Sequence, residues 1–193
     1  MKIITLKLLL VLSLIATAGY SQKIEINTTD KATGNRFITT SNNKDGEFTI
    51  DDSVAQSGAL FFAIGYQSNN SKGKQIQTYY IDLIMIHNDN RVGCVQQSTG
   101  KITLVLKDGS EMECYQISDD DCNPTDFKAA YALKARGESA AIMDSNFKKL
   151  METEIVQIKV TTSEKTLNYK IKKEERQYLK NHFIVLNKTI GKS

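Results

Sequence analysis

The chain has 193 residues, 40% hydrophobic and 24% charged, with one proline, no tryptophan and a net charge of +3. That balance excludes a disordered chain, a collagen, a coiled coil and a dense disulfide scaffold. It fits one globular domain long enough to bury a sizeable core.

The N-terminus has the layout of a secretory signal. Lys2 and Lys7 precede the apolar run Leu8–Ala18, and Gly19-Tyr20-Ser21 supplies small residues for cleavage. The run is too short for a transmembrane helix, and no later segment reaches a membrane-spanning length. Cleavage is expected after Ser21, with Ala18 as the alternative, so the domains read as a signal peptide (1–21) and a single domain (22–193) that begins at Gln22. Without Lys2 and Lys7 the net charge falls to +1, with residues 22–147 acidic and 148–193 basic. Such a tail could meet an acidic partner or a membrane surface, but its lysines are spread along the chain as on a solvated face. A near-neutral exported chain does not fit nucleic-acid binding.

In chain order, Lys23–Asn27 alternates as a half-buried strand does. Arg36–Thr40 and Phe48–Ile50 are short strand candidates around the turn-forming cluster 42–46. Ala59–Gln67 is a buried aromatic-rich strand and Ser68–Lys74 a polar loop. Gln75–His87 is apolar on both faces and predicts a central strand, with Asp82 out of place. Asp108-Gly109 centres a hairpin between Ile102–Leu106 and Glu111–Ile117. Ser98-Thr99-Gly100 predicts a further turn, pairing Val92–Gln97 with the first of those strands and giving an antiparallel meander over 75–118.

The stretch Phe127–Met143 is ambiguous between strand, loop and helix start. A short helix is expected near 144–152, capped by Asp144 or Ser145. Glu154–Thr162 and Lys165–Ile171 alternate as strands around Ser163-Glu164. An amphipathic C-terminal helix over 173–190 carries the stripe Leu179, Phe183, Leu186 and Ile190. The fold class is α+β with a mainly antiparallel sheet.

The Lys107–Ser110 hairpin, Ile117–Cys122, the short helix ending at Leu150, Ile155–Val160, the closing helix and the signal ending in Gly-Tyr-Ser-Gln together resemble small secreted proteins of Bacteroidetes. The resemblance covers residues 75–193. It implies an envelope or extracellular protein and carries no catalytic residue.

Three cysteines, Cys94, Cys114 and Cys122, stand in the exported part. An oxidising compartment permits a disulfide, and an odd count leaves one thiol over. The expected hairpin register puts Cys94 beyond the roughly 7 Å reach of a bond to Cys114. Cys114–Cys122 is therefore the disulfide candidate, against all three reduced and buried. A cysteine nucleophile needs a base, and His87 and His182, the only histidines, show no pairing by spacing.

Asp119, Asp121 and Asn123 alternate in an acidic stretch and are the calcium candidate, although Pro124 and Ala130 stand where an EF-hand needs glycine and glutamate. No other cofactor is implied. Gly137-Glu138-Ser139 resembles a nucleophile elbow only in its letters, because the expected parallel α/β context is missing. Paired carboxylates such as Asp51-Asp52 exist without a known spacing.

Three functions are open. The first is a secreted or periplasmic, non-enzymatic binding domain for an envelope or extracellular protein or a glycan. The second is a secreted hydrolase using Ser139 or acidic residues. The third is an oligomeric envelope assembly subunit joined through Thr78–Asp82. A basic surface at Lys172, Lys173 and Arg176 would favour acidic ligands.

Overall fold

The computed structural model describes residues 22–42, 48–49, 59–71, 74–87 and 89–191. The expected signal peptide (1–21), Asp51-Asp52 and most of the expected 42–46 turn lie outside them.

Ten strands form one antiparallel sheet: β1 (Ile24–Thr29), β2 (Arg36–Thr40), β3 (Phe48–Thr49), β4 (Ala59–Ser71), β5 (Lys74–Ile86), β6 (Lys101–Leu106), β7 (Glu111–Gln116), β8 (Asp126–Ala132), β9 (Ile155–Thr161) and β10 (Thr166–Lys170). Among the described residues two α-helices, α1 (Ala140–Glu152) and α2 (Lys173–Ile190), join the sheet in an α+β fold. The spatial order is β1-β2-β4-β5-β8-β7-β6-β9-β10, with β3 also paired to β4. β3 meets β10 from the far end of this path, and α2 packs on β2 and β4 to one side and β9 to the other. The sheet therefore curls around α2.

Alternation decides which side chains enter the concave face. Tyr79, Ile81, Leu83 and Met85 of β5 point inward, and cross-strand pairing puts Ile64, Tyr131, Phe62 and Ala129 beside them. Met143, Phe147 and Leu150 of α1, spaced for one helical face, are buried against them, with Tyr79 stacked on Phe147 at 4.2 Å. On α2 the buried stripe is Leu179, His182, Phe183 and Leu186.

Several expectations change. The α1 helix starts at Ala140 rather than near 144, because Ser139 adopts the extended backbone of a cap and Ala140-Ala141 are strong helix formers. Residues 68–71 and Lys74 are strand rather than the expected loop: Ser68 pairs with Gln77 and Ser71 with Lys74, so the β4–β5 hairpin extends as a long arm. Asp82 faces solvent on the convex side, which removes the need for a buried partner. Residues 92–97 do not pair with β6, whose second neighbour is β9. That segment is instead a 3-10 turn at Asn90–Val92 followed by a single antiparallel bridge, Val95 to Asp121. Nor is 75–118 a meander, because β8 enters between β5 and β7.

Candidate functional site

A cleft of about 740 Å³ opens on the helix side of the sheet beyond the end of α2. Its size lies within the roughly 300–1,000 Å³ typical of small-ligand sites. Asn27 and Thr29 come from β1, Arg36 from β2, Tyr66 and Ser68 from β4, Gln75 and Gln77 from β5, and Thr189 and Ile190 from the end of α2. The periodicity of two explains the set. The face that buries Ile38, Ile64 and Ile81 under α2 carries Arg36, Ser68 and Gln77 once the strands run past the helix.

The rim is built by local polar bonds. Asp30 Oδ1 accepts from Ala32 N at 2.8 Å and Oδ2 from the Thr33 hydroxyl at 2.8 Å, which hold its carboxyl below the usual range. Gly34 at φ 72° takes the left-handed position that this turn requires. Asn70 N donates to Asn35 Oδ1 at 2.8 Å and staples the turn to the hairpin arm.

Among the described lining residues, Arg36 carries the one formal charge. Its guanidinium donates to the Thr189 carbonyl at 3.1 Å and the Ile190 carbonyl at 3.4 Å, and to Asn27 Oδ1 at 3.4 Å. A cation there satisfies the orphan carbonyls at the negative end of the helix. Tyr66, only 3% exposed, closes the floor with its ring 5.4 Å from Tyr79. The remaining polar lining is uncharged amide and hydroxyl: Asn27, Thr29, Ser68, Gln75, Gln77 and Thr189.

No protein-family model, curated protein or solved structure matches this chain.

The residues singled out from sequence lie elsewhere. The disulfide joins Cys94 to Cys122, with Cα atoms 4.3 Å apart, and Cys114 is a buried free thiol, so the expected Cys114–Cys122 pair is incorrect. The bridge explains why. Val95 and Asp121 exchange both backbone hydrogen bonds, at 3.0 and 2.9 Å, which makes Cys94 and Cys122 the adjacent non-hydrogen-bonded pair. Such pairs bring Cβ atoms close. Cys114 lies opposite Ile102 on the concave face, where burial pushes its thiol pKa up.

At the calcium candidate, the Asp121 carboxylate accepts from Asn123 N and Lys128 N at 2.9 and 2.8 Å. Asn123 Oδ1 accepts from Thr125 N and its hydroxyl. Asp119 is exposed, and its backbone carbonyl accepts from Gln116 Nε2 at 2.9 Å. These oxygens hold a loop, and among the described residues no three His, Cys, Asp or Glu side chains gather as a metal site.

Three further carboxylates of the acidic stretch are ion-paired. Glu113 pairs with Lys101 at 2.6 Å, Glu111 with Lys159 at 2.6 Å and Asp108 with Lys149 at 3.2 Å.

Ser139 is exposed at the start of α1. Neither histidine is bonded to it: His87 Nδ1 accepts from Asp89 N at 3.2 Å, and His182 Nδ1 lies 2.7 Å from Thr40 Oγ1. Lys172 and Lys173 are exposed, whereas Arg176 Nε donates back to the Ile171 carbonyl at 3.0 Å. In Thr78–Asp82, Tyr79 faces α1 and Tyr80 lies over Gly65, so neither tyrosine is presented to a partner.

Sequence reading missed the cleft residues. Their signal was Gln75 and Gln77 two residues apart, with Ser68 paired to Gln77, which is the pattern of a half-exposed polar strand.

Proposed function

We propose that the mature chain is an exported, non-enzymatic binding domain that takes a neutral, hydroxyl-rich ligand, a glycan, in the cleft beyond α2. The observation that supports this reading is the described lining: a concave site whose described polar groups are amides and hydroxyls, with the Arg36 guanidinium engaged by helix carbonyls. Amides donate and accept at once, which matches sugar hydroxyls and offers little to an ionic ligand. Gln75 and Gln77 stand at the arm's solvent-facing end, where a ligand replaces water rather than protein partners. Export is supported by the signal-like N-terminus and by a disulfide, which oxidising compartments allow.

The test is a glycan array probed with labelled residues 22–193, followed by calorimetry on the best soluble oligosaccharide. A neutral glycan should bind, and Gln75→Ala with Gln77→Ala should weaken it roughly tenfold or more, the loss of one to two hydrogen bonds. Binding confined to charged glycans, or unchanged in the double variant, would sink the proposal.

A second reading, an assembly subunit, draws on the outer face, where Ile26 and Ile76 are 40% and 54% exposed. It requires a concentration-dependent oligomer in sedimentation that Ile76→Lys disperses.

A further inference from the structure

Gln22 is the first described residue, and its side chain is where a polar group should not be. The residue is 7% exposed, and its Nε2 is buried without a hydrogen-bond partner. A buried, unsatisfied amide costs free energy comparable to a lost hydrogen bond. The backbone beside it is pinned: Ser41 N donates to the Lys23 carbonyl at 2.8 Å, and Ile24 packs against the core. The strand entry next to Gln22 is therefore fixed on the sheet. If residues 1–21 are a signal peptide cleaved after Ser21, the reading on which this inference rests, the position also acquires an α-ammonium. Burying that charge costs still more.

We propose that Gln22 is a modification site, closed to a pyroglutamyl lactam in the mature protein. The α-amine nitrogen attacks the side-chain Cδ, forming the N–Cδ bond of a five-membered ring. The Cδ–Nε2 bond breaks, the amine proton passes to the departing nitrogen, and ammonia leaves. No oxidant, reductant or second substrate enters. Both groups that this position cannot accommodate disappear together, the unpaired amide N–H₂ and the terminal charge. The neutral lactam leaves an edge strand that starts without a charge, and it blocks aminopeptidases from trimming β1.

The experiment is intact-mass and N-terminal peptide mass spectrometry on the full chain expressed with its own leader and recovered from the envelope and medium fractions, with amine-reactive labelling in parallel. The expected species is residues 22–193 with one disulfide, lighter by one ammonia, and carrying no label on its N-terminus. Gln22→Ala, which has no side-chain amide to close, should label fully. Residues 22–193 at unmodified mass with a reactive α-amine would overturn the lactam and leave the export reading standing. A mature N-terminus at another residue would overturn the lactam and leave the export reading standing, whereas retention of the leader would overturn both. A Gln22→Ala chain blocked as completely as the parent would assign the block to another modification and overturn the lactam alone.

Discussion

His182 occupies the buried stripe of α2, with its ring edge-on to Phe62 at 5.6 Å and Tyr178 at 4.9 Å. Thr40 Oγ1 accepts from Ile64 N at 3.0 Å and lies 2.7 Å from His182 Nδ1, where the ring's tautomer sets which of the two donates. Nε2 finds no partner. Burial pushes the ring's pKa down to about 3, since no nearby carboxylate offsets desolvation. A histidine depressed in the folded state binds its proton more readily when unfolded. Stability is therefore full above the unfolded value near 6.5 and is lost as pH falls from there toward 3. The loss between pH 7 and pH 4 should be on the order of 3 kcal/mol. His87, also lowered by burial, adds to it with the same sign. Urea unfolding at the two pH values should show a smaller drop for His182→Gln than for the parent. An equal drop would mean that the ring does not titrate on unfolding.

Gly65 offers a second test at one position. A Cβ there would enter the Tyr80 ring, which lies across the glycine and stacks toward Phe37 at 6.4 Å. Gly65→Ala should cost about 1–3 kcal/mol by overpacking, read as a lower denaturant midpoint at unchanged slope. Neither residue was picked out from sequence for these roles. Histidine on an apolar stripe reads as an interruption, and a strand glycine shows no sign of the ring that will cover it from the next strand.

The long connection from β5 to β6 shows what holds an element that has no ladder of its own. Thr162 Oγ1 donates to the Val92 carbonyl at 2.5 Å, Cys94 N donates to Ser163 Oγ at 3.0 Å, and Gln97 N donates to Asp120 Oδ1 at 2.6 Å. Arg136 also donates to the Gln97 carbonyl. Asp89 is bound fork-to-fork by Arg91, which holds its carboxyl well below the usual range. The Cys94–Cys122 bond closes a loop with a sequence separation of 28. Loop-closure entropy puts its contribution at roughly 3–4 kcal/mol. Reduction, or a Cys94→Ala and Cys122→Ala double variant, should lower the unfolding free energy by about that much. Native, unreduced protein should meanwhile give no reaction with a thiol reagent, and one equivalent of thiol, Cys114, once unfolded. A thiol titrating in the native state would show that the bond or the burial is misassigned. Strand and hairpin positions were legible here, because alternation and Asp-Gly are local signals. Pairing partners were not. The segment 92–97 has the residues of a strand, but β6 already has β7 and β9 on its two edges.

The concave side of the curled sheet is filled by α1 and α2, and the C-terminal helix is the one that reaches strands from both ends of the sheet. Leu179, Phe183 and Leu186 are fully buried against strands that are far apart in the sequence. A chain ending at Lys172 should therefore fail to form a cooperative fold and should bind a hydrophobic dye. A sharp thermal transition in that truncated chain would refute the role given to α2. Where α2 ends, the same face turns polar and becomes the cleft, so the helix length decides where core stops and site begins.

Local chemistry was enough to determine the α+β class, the hairpin at Asp108-Gly109 and the C-terminal helix at 173–190. Each depends on periodicity or turn preference within a few residues. Only the tertiary structure decided the insertion of β8 between β5 and β7, the Cys94–Cys122 bond, and the gathering of Asn27, Ser68, Gln77 and Thr189 around one cleft. Those outcomes depend on which edges remain open once the first strands have paired, a competition between distant segments that no window along the chain contains.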